Sequence, residues 1–346
     1  MIEIKLPFVN PKSLGEMIRQ QIRTALYCNR EATKVEIAQM TGLTFPTISK
    51  AVEEMRKGGE VLLAGVGESG GGRRPQIYRL NPDYRYGLAV YLEKNITKYT
   101  VLNYVGDVVA AESREGVLQD GPAALDKQIA RLVGLYPPIY ALTFGVPGAV
   151  KEGKLFHIPG YERFEGYDLR AAYRNNYSLI VQVENDMNAT VLGYHDRLDN
   201  DEHVSLVYLY FGMNGPGAGI IVNGSLVRGK SDFAGEIACM PLYDSGTFSG
   251  SIRAHAHEEA GAPWRPEVTD GISRLVAALT TVLNPDFFVF CSLNVTDDDL
   301  IEITRQCAAY VPEQHLPALI ISDWEEDYMH GLKQLTIRNM LGTGEN

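Results

Sequence analysis

Four side chains in one short stretch could touch nucleic acid: Thr44, Phe45, Thr47 and Lys50. Two small hydroxyls, an aromatic ring and a cation at the start of a helix are the groups that reach base edges when the helix enters a major groove. Further along, Arg73 and Arg74 follow a run of glycines. Their guanidinium groups suit phosphates or a narrow minor groove, where the negative potential is enhanced. The four cysteines (Cys28, Cys239, Cys291 and Cys307) are scattered and never form C-x-x-C. They fit buried thiols in a reducing cytosol, and a cytoplasmic protein, better than a disulfide framework.

Local patterns place these residues on definite elements. Leu14, Met17, Ile18, Ile22, Ala25 and Leu26 recur at helical spacing, which predicts an amphipathic helix over 12–27. A second helix is predicted over 34–41, capped by Thr33 with Glu36 as its capping-box partner and with Val35, Ile37, Ala38 and Met40 on its apolar side. Gly42-Leu43 then turns the chain into a third helix over 44–57, with Pro46 in its first turn and Gly58-Gly59 as its stop. Ile48, Val52 and Met55 should face inward, leaving Thr44, Phe45, Thr47 and Lys50 outside. Strands at 61–65 and 76–80 would flank the glycine-rich, cationic tip as a wing. The pattern is a winged helix-turn-helix. The plainer alternatives are a three-helix bundle with a polar surface and a solvated loop with two charges.

The 346 residues allow two or three domains with cores of their own, and 45% hydrophobic with 22% charged residues is ordinary globular composition. No stretch approaches the roughly 20 apolar residues that span a bilayer. The N-terminus lacks a basic region followed by an apolar one, so it does not read as a signal peptide. Net charge is −11 but unevenly spread. Residues 1–82 carry 12 Lys and Arg against 8 Asp and Glu, the remainder 20 against 35. A basic module for phosphates on an acidic body is the expectation.

From residue 84 strands and helices alternate, which predicts an α/β body with mixed sheets in two lobes. Strands are expected at 86–92, 99–104, 108–112, 139–145, 179–183, 204–211, 219–222, 287–291 and 319–321. Helices are expected at 123–135, 169–175, 188–196, 272–283, 296–310 and 325–340. Residues 86–112 and 204–226 both read as strand, glycine turn, strand, which points to a coarse duplication.

Gly145-Val-Pro-Gly148, Val183-Glu-Asn-Asp-Met-Asn-Ala189 with Leu192-Gly193, Gly217-Ala-Gly-Ile-Ile-Val-Asn-Gly224 and Ala234-Gly-Glu-Ile237 together resemble the ROK (repressor, open reading frame, kinase) family. Gly72-Arg-Arg-Pro75 followed by Leu80-Asn-Pro82 resembles the wing end of its repressor branch. The resemblance implies a winged helix ahead of an actin-like (ribonuclease H-like) two-lobed body with a sugar cleft. It also implies that Asn185, Asp186 and Glu236 bind sugar hydroxyls, Asp186 being the base in the family's kinases. A helix N-terminal acid is the plainer reading of Asp186.

This sequence departs from the kinase pattern. Ala89 stands for the expected Asp, and Tyr91-Leu92-Glu93 for a glycine turn that cradles phosphate. Phe211–Gly217 replaces the second phosphate loop and Cys291-Ser292 a glycine pair. The structural zinc set falls on Cys239, Asp244, Gly246 and Ser251, which cannot build a tetrahedral site, and His255 and His257 do not replace it. Arg253 falls where a sugar-binding glutamate is expected, and Gly160 where an asparagine is. Arg253 reads either as an ion-pair partner of Glu236 or Asp244 or as a cation for an anionic effector.

The resulting expectations are a DNA-binding domain over 1–82 and an actin-like domain over 83–346, with lobe 1 at about 83–195 plus the final helix and lobe 2 at about 196–324. The function expected is a transcriptional regulator, a repressor of carbohydrate-related genes, with double-stranded operator DNA and a sugar or anionic sugar derivative as partners. It should be a homodimer or dimer of dimers, need no cofactor or metal and have no kinase activity. The alternatives are a sugar kinase with a DNA-binding head and a regulator whose body only dimerises.

Overall fold

The computed structural model describes residues 11–67, 74–156, 161–198, 203–212, 215–244, 246–253, 264–293 and 295–344, except for the side chains of residues 11–13, Ser251 and Arg253. The head begins with α1 (Pro11–Asn29), β1 (Glu31–Thr33), α2 (Lys34–Thr41) and α3 (Phe45–Lys57), and ends with β2 (Val61–Val66) and β3 (Gln76–Leu80). Thr33 caps α2: its hydroxyl accepts from Glu36 N–H, and Glu36 reaches back to Thr33 N–H. Gly42, at φ 68°, ends that helix in the left-handed region that a side chain would strain. Ile48, Val52 and Met55 of α3 are buried against Ile22, Leu26 and Ile37, as their spacing predicts.

Two differences from the spacing arguments are physical. Leu14 and Met17 are half exposed, because the head core packs on the C-terminal half of α1 and they project from its other half. On the short α2 only Ile37 is buried, and Val35 and Met40 remain exposed. β1, too short to show a period, pairs with β3, and the three strands lie in the order β1-β3-β2.

The body holds two five-stranded sheets of the same topology. β4 (Tyr86–Leu92), β5 (Ile96–Leu102) and β6 (Val108–Glu115) form an antiparallel meander. After α4 (Pro122–Leu135), β7 (Ile139–Val146) runs parallel to β4. A hairpin of β8 (Ala149–Lys151) and β9 (Lys154–Phe156) and then α5 (Leu169–Tyr177) lead to β10 (Ile180–Asn185), parallel to β7, and to α6 (Asp186–Asp196). The second sheet repeats the plan. β11 (Leu206–Gly212), β12 (Gly215–Val222) and β13 (Ser225–Leu226) are antiparallel. α7 (Phe248–Arg253) and α8 (Pro266–Leu283) precede β14 (Phe287–Cys291), α9 (Asp297–Cys307) precedes β15 (Ala318–Ser322), and both strands are parallel extensions. The orders are β10-β7-β4-β5-β6 and β13-β12-β11-β14-β15, so the duplication seen in the strand patterns extends to whole sheets.

The last helix, α10 (Trp324–Leu341), ties these parts together. It crosses α6 where Gly193 faces the Asp327 carbonyl and Gly331 faces the Ala189 carbonyl, so closely that a Cβ at either glycine would strike backbone. Its C-terminal residues Ile337, Met340 and Leu341 join the head core together with Leu102, Tyr104 and Ala141. Head and body therefore share one continuous apolar cluster. No helix among the described residues is long and apolar enough to cross a membrane.

Candidate functional site

The head presents one outward face of α3. Thr44, Phe45 and Lys50 are exposed, Phe45 with half its surface in solvent, and Thr47 is half-buried. The Thr44 and Thr47 hydroxyls lie 2.9 Å apart and share a hydrogen bond. Thr44 takes the N-cap position but makes no side-chain cap, which leaves that hydroxyl pair on the surface. Neighbouring cations are already engaged. Lys34 Nζ donates to Glu53 at 2.8 Å, and Arg56 Nε donates to the same carboxylate at 3.0 Å. Those two hydrogen bonds, Lys34 first, hold the Glu53 carboxyl down to about 2. Lys50, three residues after Thr47, is an exposed cation in the N-terminal half of α3. Arg74 is exposed just before β3, and Arg73 lies outside the described residues.

The second site is a cavity of about 420 Å³ between the sheets. It is built on the junction of β10 and α6. Asn185 caps α6 by accepting from Asn188 N–H at 3.0 Å, and its amide donates to the Gly148 carbonyl and to Asp186 Oδ1, both at 2.9 Å. Asp186 Oδ1 also accepts from Met187 N–H at 2.8 Å. Behind them Glu184 is buried and receives both arms of the Arg228 guanidinium, at 2.7 and 2.8 Å. From the opposite side the Ala234-Gly-Glu236 loop reaches the cavity. Ala218 N–H donates to the Gly235 carbonyl at 2.9 Å, and Gly235, at φ 94°, has no room for a Cβ beside the Ala218 carbonyl.

The structure thus brings Asn185, Asp186 and Glu236 to one cavity, with Tyr161, Tyr210 and Asp232 beside them. Among the described lining residues three are carboxylates and none is Lys or Arg. Burial, then the negative charges of Glu93 and Glu236, push the Asp186 carboxyl well above its ordinary range. Tyr161 is pushed up to about 12 by burial and then by Glu93 and Asp186. Asp186 is the first residue of α6, so the helix N-terminus partly offsets this. Of the other residues compared with a sugar site, the Arg253 side chain and Gly160 lie outside the described residues.

Beside the cavity, aromatic rings from both sheets pack on α10. Tyr91, on β4, is buried, with its ring centroid 4.6 Å from Tyr328 and 6.0 Å from Trp324. Tyr210, on β11, lies 4.8 Å from Trp324. The four rings join both sheets to α10. The sequence showed Tyr91 as an obstacle to phosphate; that it is one ring of four needed the fold. No cluster of three metal-ligating side chains occurs among the described residues.

Comparison with known proteins places this arrangement. The sequence model of the ROK family matches residues 94–251, which contain Asn185, Asp186, Glu236 and the Ala234-Gly-Glu236 loop. Over that stretch the body is similar to the ROK family. The xylose repressor of Caldicellulosiruptor bescii is 28% identical over 219 residues, 60% of this chain and 54% of that protein. The xylose repressor of Bacillus subtilis is 26% identical over 224 residues, 62% of this chain and 57% of that protein. The chain spans about half the length of these curated relatives. Among solved structures, a ROK family transcriptional regulator, homolog of the E. coli MLC protein, has a TM-score of 0.72 at 16% identity, covering 95% of this chain and 98% of its own. The ROK hexokinase of Thermus thermophilus has a TM-score of 0.58 at 16% identity over 72% of this chain and 96% of its own. The hexokinase covers less of this chain, and both likenesses establish the fold.

Proposed function

We propose that this chain is a DNA-binding transcriptional regulator of the ROK family, a repressor of carbohydrate-related genes, whose body holds a sugar in the interlobe cavity. One observation carries the reading. α3 buries Ile48, Val52 and Met55 in the head and turns Thr44, Phe45 and Lys50, with the half-buried Thr47 between them, to the outside at its N-terminal end. Arg74 and Arg73 of the wing would add phosphate contacts. A single head offers one half-site, so the active species is a homodimer, or a dimer of dimers, formed through the body. Mobility shift on genomic fragments tests this. Retarded fragments with a shared palindrome support it, and no binding at low salt rejects it.

The cavity chemistry favours hydroxyl groups as ligand. Carboxylates accept hydrogen bonds from hydroxyls, and Asn185 offers both a donor and an acceptor. The names of the relatives make xylose the first sugar to try. A cation from Arg253 would extend the same cleft to anionic sugar derivatives. Calorimetry with matched neutral and anionic sugars on the wild type and on Arg253→Glu separates the two. A thermal-shift screen across pentoses and hexoses separates a sensing body from one that only dimerises, since a ligand of the folded state raises the melting temperature.

Phosphoryl transfer is not part of this function. Positioning and neutralising phosphates needs close backbone approach and metal, and the bulky Tyr91-Leu92-Glu93 stretch, with Tyr91 packed against Tyr328 and Trp324, supports a body without that activity. The competing reading, a sugar kinase with a DNA-binding head, draws on the retained Asp186. Incubation with ATP, magnesium and a sugar panel should give no sugar-dependent turnover. Turnover abolished by Asp186→Asn would establish the kinase.

A further inference from the structure

The joint between head and body contains a buried carboxylate that neither site uses. Glu60 follows α3 by three residues and is 4% exposed. Its backbone is fixed first: Glu60 N–H donates to the Met55 carbonyl of α3, and its own carbonyl accepts from Asn81 N–H at 2.9 Å. Its side chain then gathers three elements. Arg23 Nε of α1 donates at 2.6 Å, and the Tyr104 hydroxyl of the body donates at 2.7 Å. Arg85, at the start of the body, stands 3.6 Å away. Arg85 donates in turn to the Met340 carbonyl at the end of α10, and its guanidinium lies 4.0 Å from the Tyr140 ring centroid. Tyr104 is presented by a tight loop in which Asn103 Oδ1 accepts from both Val105 and Asp107 N–H.

The surrounding contacts are of two kinds with different consequences. The shared apolar cluster resists separation of head and body, but burial of apolar surface has no preferred direction. The carboxylate is directional. Any rotation of the head that draws Glu60 off Tyr104 and Arg85 leaves buried charge without its partners, which is costly. The head is therefore set on the body at one angle, and α3 with it.

We propose that the Glu60 joint is a specificity-determining device: by fixing α3 to the body it fixes the separation of the two half-sites the protein accepts. This rests on the reading of the protein as a DNA-binding dimer joined through its body. Two extra base pairs between half-sites shift the second by about 7 Å and turn it by about 70°. A head free to swing follows that change, and a bolted one loses a half-site.

The test uses the full-length protein and an operator selected from random-sequence DNA. Binding is measured to that operator, to the operator with two base pairs inserted between half-sites, and to a single half-site. The main variant is Arg85→Ala with Tyr104→Phe, which cuts the joint on the body side and leaves the Arg23–Glu60 pair inside the head. Glu60→Gln, which keeps the side-chain shape, is the second should the first not fold. For the wild type the insertion should cost roughly 100-fold in affinity, the loss of one tethered contact. For either folded variant it should cost under about 10-fold, with single half-site binding unchanged within about twofold. The proposal is overturned if a folded variant pays the wild-type penalty, or if the wild type tolerates the insertion. If no sequence is selected, the DNA-binding reading falls and the proposal with it.

Discussion

Two buried carboxylates sit at opposite ends of this molecule's working parts. Glu60, in the joint, is 4% exposed, and Asp186, in the cleft, is 5% exposed. Glu60 is met by two guanidinium groups and a phenol. Asp186 is met by a backbone N–H and a neutral amide, with Glu93 and Glu236 bearing on it as like charges. Burial is equal, so it does not separate them. The partner sets do: the first carboxylate holds structure together, and the second is held by structure at a cost, which suits the ligand site proposed for it.

Truncation breaks the comparison most sharply. Glu60→Ala takes the buried carboxylate from Arg23 and Arg85, leaving Arg23 with Glu16 and Arg85 with the Met340 carbonyl, and should destabilise the fold by about 3 kcal/mol, read by urea unfolding. Specific DNA binding comes next. Lys50→Ala and Thr47→Ala should each cost about 1–3 kcal/mol of operator affinity if each touches a base. Lys50→Ala should leave the unfolding midpoint unchanged, since that side chain is exposed, and Thr47→Ala should lower it only slightly, through loss of the surface hydrogen bond to Thr44. Tyr104→Phe removes one donor from Glu60 and keeps the ring, for a loss of roughly 0.5–1.5 kcal/mol in unfolding.

Asp186→Asn should have the smallest effect and the opposite sign. The folded state holds the Asp186 proton to higher pH than the unfolded chain does, because burial and then Glu93 disfavour its charge. Stability from this group is therefore lost as pH rises from the unfolded carboxyl value through the raised folded one. Asn carries no such loss. The variant should gain on the wild type in unfolding at pH 7 and lose that advantage near pH 4. An Asp186→Asn protein that is less stable at neutral pH would make Asp186 a second structural bolt and dissolve the contrast.

The two ends were unequally legible in the sequence. The head could be read because its signals are local: the Thr33–Glu36 capping box, the apolar spacing of α3 and Pro46 in its first turn all lie within one element. Asn185, Asp186 and Glu236 could be grouped through the family motifs, although 50 residues separate the last two. The Glu60 joint could not. Its partners lie 37, 44 and 25 residues away on three elements, and a single Glu after a helix carries no pattern. Glu93 stood out as part of a stretch that replaces a glycine turn, but its bearing on Asp186 exists only once β4 and α6 are folded. The β8–β9 hairpin, β13 and α7 went unread because two to six residues show no period.

The ring cluster has an optical consequence. The sequence has two tryptophans, Trp264 and Trp324, and Trp324 is 6% exposed with Tyr91, Tyr210 and Tyr328 all within 6.0 Å between ring centroids. Light absorbed by those three phenols passes to the indole by resonance transfer, which is near complete at such range. Because Tyr91 and Tyr210 belong to different sheets, parting of the lobes that let water reach the buried Trp324 would redden its emission while transfer from the phenols stayed near complete. The protein so carries an intrinsic fluorescent gauge of its own cleft.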